Sequence, residues 1–346
     1  MDGSVSVLWS RSLHMRSASQ ALAAAANHLV VAERRSRLVC LDPRSGVQRW
    51  EQRVEDCWGT AVVAGERCLY LSQAGVLHCF ALDDGQRLWS TPGLSLRHFV
   101  SVIGSVVLLG GWRGYRPLTR VALADGRPLP SDGADCARAA ALAWPQPVRW
   151  RPEGDSAADA VLIAGADVPK LLVMAASGAV LREWSLPAPV VASDGSSFGV
   201  GSDGRVTFLS GRRTVMVFDP VSGVHVLWHH ERDLHPVTPI LDGETLWLVD
   251  DTGTAAIDLS PGVVTEVRSL RRRTVRAAAP VPGGGLFAMM DRALVTVDRA
   301  GTVGARLRLP MPIERLVPGV DGLVHGIGKG HLVTLDIPTT AAVPPL

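Results

Sequence analysis

The segment Leu41-Asp42-Pro43-Arg44-Ser45-Gly46-Val47-Gln48-Arg49-Trp50 constrains the fold more than any other part of the chain. A short apolar run ends in Asp, a turn closes on Gly, and a second short run ends in Trp. The same unit returns at Leu82-Asp83-Asp84-Gly85-Gln86-Arg87-Leu88-Trp89 and at Phe218-Asp219-Pro220-Val221-Ser222-Gly223-Val224-His225-Val226-Leu227-Trp228. Pro and Gly in turn positions between alternating runs predict a two-stranded hairpin each time. Hairpins repeating at near-constant spacing predict a solenoid or a propeller. Turn signatures fall at 42–46, 83–85, 125–126, 177–178, 219–223, 258–262 and 298–301, with a degenerate last one at Asp336. The closing glycines lie 39, 41, 52, 45, 39 and 39 residues apart, a spacing that suits a four-stranded blade.

Eight blades of about 43 residues each use the whole chain. The fold class expected is therefore all-β: an eight-bladed β-propeller of four-stranded antiparallel blades, one domain over residues 1–346. Hydrophobic residues make up 47% and charged residues 20% of the sequence, which marks a folding chain and not a solvated tail. The last blade, built from 313–317, 323–325 and 331–335, lacks an outer strand before the Pro-rich end. Val5-Ser6-Val7-Leu8-Trp9 has the form of the outer strand at 86–89, so the N-terminal strand 5–9 is expected to complete that blade and close the ring. In the third repeat the outer strand from Arg127 is weak. A Pro/Asp/Gly-rich insert leads from it to an Ala-rich stretch at 136–143, read as a short helical turn or an extended crossover. Trp9, Trp50, Trp89, Trp184 and Trp228 recur in predicted outer strands, where a flat ring fills the wedge between neighbouring blades; their expected role is structural.

This unit resembles the repeat of pyrroloquinoline quinone-type eight-bladed propellers, a group that includes quinoprotein alcohol dehydrogenases and the propeller lipoprotein of outer-membrane protein assembly. The match is clearest at 39–50, 80–89 and 216–228 and weaker at 123–129, 174–184, 257–267 and 297–307. The resemblance implies the fold. The dehydrogenases carry adjacent disulfide-linked cysteines, a calcium site and a catalytic Asp, whereas the cysteines here, at 40, 57, 68, 79 and 136, are never adjacent and no calcium-ligand set is placed. The resemblance thus carries neither quinone chemistry nor a cofactor, and no metal is expected.

In a four-stranded meander, the turns joining the second and third strands share a face with the blade-to-blade crossovers. The Asp-Gly hairpin turns lie on the opposite face. This sorting places Arg37, Trp112, Arg113, Tyr115, Arg116, Arg212, Arg213 and Arg292 on one face, and its crossovers add Arg97, His98, His235, Arg272 and Arg276. The opposite face takes Asp42, Asp83, Asp125, Asp219, Asp258 and Asp298, so a formal charge of only +2 conceals a polar molecule. Arginine donors ringing a funnel suit carboxylate or phosphate groups, unless they are paired with carboxylates such as Glu33, Glu55 and Glu314. Trp112-Arg113-Gly114-Tyr115-Arg116 combines aromatic area with guanidinium donors, the mixture favoured at protein contacts. The expected function is a non-catalytic scaffold or accessory subunit that binds an acidic protein partner through Trp112, Arg113, Tyr115, Arg116, Arg272 and His235. The alternative is an enzyme or small-molecule binder taking an anionic substrate at the funnel mouth, with His98 or His235 as acid or base.

His225, His229, His230 and His235 cluster in sequence, but a zinc site would need three or four ligands converging in space. Asp250-Asp251 ahead of Gly253 reads as an Asx-type turn. Nucleophile-elbow, phosphate-loop and zinc-helix motifs are absent, and no recognition helix or finger points to nucleic acid. The N-terminus shows no basic segment followed by an apolar helix, and no stretch is apolar enough to span a bilayer. With an odd number of cysteines, these features make the cytoplasm the expected location.

Overall fold

The computed structural model describes residues 5–13, 21–25, 27–33, 36–56, 58–111, 118–130, 133–140, 142, 146–150, 160–165, 167–191, 197–201, 203–219, 221–260, 265–271, 274–328 and 330–337. They form eight four-stranded antiparallel sheets, the blades of a propeller. Blade one runs from the channel outward as Leu22–Ala25, His28–Glu33, Arg37–Leu41 and Gln48–Arg53. Blades two to seven repeat this order over 60–91, 97–129, 146–185, 198–229, 240–269 and 275–308. Blade eight takes three strands, Ile313–Pro318, Leu323–Gly328 and His331–Asp336, from the chain's end and its outer strand, Ser6–Ser12, from the beginning. The closing pair runs in register from Ser6 opposite Asp336 to Ser12 opposite His331, with one bulge between Val7 and Trp9.

The burial pattern explains why the strands read as they do. Second and third strands pack against a blade on each side, so both faces are covered and nearly every position is buried, as in Arg67–Leu71 and Val206–Ser210. Outer strands have a wet face and read polar, as in Gln48–Arg53. Among the described residues the core divides into eight apolar clusters, one in each wedge between neighbouring blades.

The hairpin turns are built alike. The Asp42 carboxylate accepts the backbone N–H groups of Arg44 at 3.1 Å and Ser45 at 2.9 Å, and Gly46, at φ +70°, donates its own N–H to the Asp42 carbonyl. Asp219 accepts from Val221 and Ser222 in the same way, and Gly223 sits at φ +83°. Glycine is needed here for its backbone, and also for its missing side chain. The ring of Trp9 lies on Gly46, so that an added Cβ would come within 2.7 Å of it, and Trp50 lies on Gly85 at 2.6 Å. Trp89 covers Gly126 likewise. Each indole N–H donates to a carbonyl of the blade it leans on: Trp9 to Pro43 at 2.9 Å, Trp50 to Leu82 at 2.6 Å, Trp89 to Leu123 at 3.1 Å.

The five tryptophans do not all share that environment. Trp184 stands opposite Leu171, further from its turn, and meets Gly223 at ordinary contact distance with its ring against Phe218. Trp228, opposite Val215, donates its indole N–H to His230 Nδ1 at 3.3 Å. Blade three's outer strand is only Pro128–Leu129 and brings no tryptophan. Its wedge is filled by the helix Ala134–Ala140, which resolves the two readings of the Ala-rich stretch. Buried Ala139 and Leu142 join Leu108, Ile163 and Met174, while Asp135 accepts the Val180 N–H at 3.0 Å and Arg138 pairs with Glu183.

Candidate functional site

Five of the residues expected to contact a partner, Trp112, Arg113, Tyr115, Arg116 and Arg272, lie outside the described residues. His235 sits on the crossover from blade five to blade six, its N–H donating to the Val249 carbonyl at 2.9 Å. His98 lies on the inner strand of blade three, its carbonyl accepting the Thr60 hydroxyl at 2.7 Å and its ring edge-on to Phe99. The two histidines thus stand on different blades.

The described arginines of the expected basic face are largely compensated. Arg213 and Arg212 reach Asp233 at 2.8 and 3.6 Å, and Arg213 with Arg212 holds that carboxyl below its usual range. Arg276 meets Glu314 at 3.6 Å, and Arg37 bridges Glu33 and Glu51, each at 2.8 Å.

Below the surface of the same face, ion pairs tie blade to blade. Glu33, at the end of blade one's second strand, is buried and accepts Arg11 of the ring-closing strand at 2.7 Å. Glu55, leaving blade one, binds buried His78 of blade two at 2.7 Å; burial opposes its ionisation, but His78, a backbone N–H and Ser72 together outweigh it and lower its pKa. The fullest of these ties is one that sequence reasoning missed. His230, leaving blade five, donates from Nε2 to Asp250 Oδ2 of blade six at 3.0 Å. Trp228 donates to the other ring nitrogen, which fixes the tautomer with its proton toward Asp250. Arg268 also contacts Asp250, and Thr252 donates its N–H and hydroxyl to Oδ1 at 2.8 and 2.6 Å. Burial disfavours the charge, yet Thr252, His230 and Arg268 outweigh it and hold the carboxyl far below the usual range. The Asx turn expected at Asp250 is present, inside a larger network. Among the described residues no three His, Cys, Asp or Glu side chains converge as metal ligands.

The second structural feature is the central channel, where a cavity of about 250 Å³ is bounded by inner strands of blades two, three, four, five and eight. Its lining is mostly apolar, with Val62, Val100 and Phe198 among others, but it includes Arg149 and Arg315. Arg315 is partly exposed, reaches the Leu22 carbonyl at 3.5 Å, and is pushed down to about 10 by burial.

Residues 3–129 match the family model described as outer membrane protein assembly factor BamB. The chain is an eight-bladed propeller resembling BamB. The crystal structure of BamB from Moraxella catarrhalis superposes with a TM-score of 0.69 at 14% identity, covering 96% of this chain and 98% of that one. Saccharomyces cerevisiae Sqt1 superposes with 0.74 at 9% identity over 98% and 100%. The computationally designed Ika8 protein gives 0.65 at 14% over 94% and 98%. At such identities these likenesses concern the fold alone. No curated protein matches the sequence. The BamB match overturns the expected cytoplasmic location, because the matched family is a factor of outer membrane protein assembly. That expectation rested on the pattern of the first residues and on the odd cysteine count, and neither carries the repeat likeness that the family match detects. Among the described residues no helix is long and apolar enough to cross a membrane.

Proposed function

We propose that this BamB-like propeller is a non-catalytic interaction scaffold that holds an acidic protein partner on the face formed by the crossovers and the turns between second and third strands. The observation that carries this reading is the use made of buried polar groups as ties between blades: Glu33 to Arg11, His78 to Glu55, and Asp250 to His230. Such ties make a rigid frame, and a rigid frame lowers the ordering cost of presenting loops to a partner. The contacts proposed are Trp112, Arg113, Tyr115, Arg116, Arg272 and His235, in a pattern of aromatic anchors beside guanidinium donors. Likeness to an outer membrane protein assembly factor supports work beside other proteins of an assembly system.

Affinity capture from the native host at low salt, with mass spectrometry and a high-salt repeat, tests the reading. A stoichiometric protein partner released by salt is expected, because surface charge contacts are screened. Reversing Arg113→Glu together with Arg116→Glu should abolish capture while the circular dichroism spectrum stays unchanged. Capture that survives the double reversal sinks the assignment of this loop.

A further inference from the structure

We propose that the outer strand of blade six, Thr265–Ser269, joins two copies of this chain edge to edge, so that two four-stranded blades become one continuous sheet across a twofold axis. This contact lies on the rim of the ring and does not depend on the scaffold reading.

An outer strand ends its sheet and leaves a row of backbone groups unpaired, an edge that proteins blunt with bulges, brevity or charge. Among the described residues, bulges interrupt the pairing of the outer strands of blades one, two, four, five, seven and eight. Blade three's outer strand is blunted by its length of two residues. Thr265–Ser269 is the exception. It pairs without a break, from Thr265 opposite Asp258 to Ser269 opposite Thr254.

The ladder fixes which groups point outward. Leu259 donates its N–H inward to the Glu244 carbonyl. Alternation then turns the backbone of Asp258, Ala256 and Thr254 toward Thr265, Val267 and Ser269, and leaves the N–H and carbonyl groups of Glu266 and Arg268 directed away from the blade. The side chains alternate too. Val267 packs on Gly301 of blade seven, and Ser269 donates its hydroxyl to the Gly301 carbonyl. Glu266 and Arg268 stand together on the other face, paired with one another.

This edge reads Thr-Glu-Val-Arg-Ser, which is complementary in charge to its own reverse. A second copy laid antiparallel, with the axis between the two Val267 residues, sets each Glu266 opposite Arg268 of the other copy and each Thr265 opposite Ser269. Glu266 and Arg268 then exchange both backbone hydrogen bonds across the axis, and their charges alternate along one face. A parallel copy in register would set like charges side by side. Charges that blunt the edge toward an apolar strand thus select a second copy in one orientation. The contact uses the same edge of both copies, so assembly stops at two. At about 3.4 Å per residue the shared ladder is about 17 Å long, and so short a contact makes a weak, concentration-dependent dimer.

Sedimentation equilibrium of the full chain over roughly 1 μM to 1 mM tests the proposal. A monomer–dimer equilibrium is expected. Glu266→Pro removes an outward N–H and no bond within the blade, and should weaken dimerisation by about tenfold or more while the circular dichroism spectrum is kept. Val267→Cys tests the register without touching the edge's donors. Across the axis the two 267 positions form a non-hydrogen-bonded pair with Cα atoms about 4.5 Å apart, within disulfide range. Mild oxidation should therefore link two chains through the introduced thiols, as peptide mass spectrometry would identify, with the unsubstituted chain as control. The concentration series and the cross-link decide the matter even if Glu266→Pro fails to fold. A chain that stays monomeric throughout overturns the proposal. So does a dimer that a folded Glu266→Pro chain forms equally well, or one that Val267→Cys does not link through position 267.

Discussion

Asp250 gathers an imidazole from the preceding blade, a guanidinium from its own outer strand and two donors from Thr252 while almost wholly removed from water. Removing the carboxylate in Asp250→Ala leaves the Arg268 guanidinium and the His230 Nε2–H without their shared acceptor and should cost about 3 kcal/mol, read as a lowered urea midpoint. Since its folded pKa is depressed, Asp250 contributes stability that is present above the unfolded value of about 4 and is lost as pH falls below it. His325 behaves differently. Buried against the Thr334 hydroxyl at 2.8 Å, its ring is lowered to about 4 by burial. The folded state therefore resists a proton that the unfolded chain accepts near 6.5, and stability present above pH 6.5 should fall by about 3 kcal/mol as pH drops to 4. Replacing both partners, His325→Leu with Thr334→Val, should flatten urea midpoints between pH 6.5 and 4, while the steeper loss below pH 4 persists. Neither site was legible beforehand. Asp250 lies 18 residues from Arg268, on the outer strand of its own blade, and 20 from His230, which only the docking of blade five against blade six brings to it.

At the scale of the element, the hairpin and the tryptophan that leans on it form one device. Trp50 donates to Leu82 and covers Gly85, whose φ of +75° and lack of Cβ are both required. Trp50→Ala should cost roughly 3–5 kcal/mol in thermal or urea unfolding, since a buried aromatic leaves a cavity. Gly85→Ala should cost about 2 kcal/mol, from backbone strain at positive φ and from a methyl driven into the indole. Combining them should cost less than the sum, because the cavity takes the methyl while the strain remains. The turn was readable in advance, because turn chemistry is local; the seating of Trp50 on Gly85 was not, since the two belong to neighbouring blades. Blade three was not: with an outer strand of two residues and no tryptophan, its wedge is closed by the helix Ala134–Ala140, a substitution visible only once Leu142 and Ala139 meet the neighbouring sheet.

For the molecule as a whole, the decisive contact joins the two ends of the chain. Eight wedges carry eight apolar clusters, and the wedge between blades eight and one holds Leu13, Leu22, Leu332 and partly buried Trp9. A ring open at that point would expose an unpaired strand edge along His331–Asp336 and the cluster beside it, so closure is what makes the repeat self-limiting. The residues that achieve it lie over 300 positions from their partners, yet the missing eighth outer strand and the spare strand at 5–9 pointed to it, because a four-stranded blade counts its own parts. Deleting residues 1–12 should therefore lower the thermal midpoint far more than deleting residues 342–346. The loss should exceed the roughly 3–5 kcal/mol of removing Trp9 alone, because the ladder from Ser6 to Ser12 and the Arg11–Glu33 tie go with it. A synthetic peptide of residues 5–13, added in trans, should restore much of the midpoint in a concentration-dependent way, since the open edge offers it the same register. Equal midpoints for the two truncations, or a peptide without effect, would show that the ring holds without its closing strand and that the remaining wedges alone set its stability.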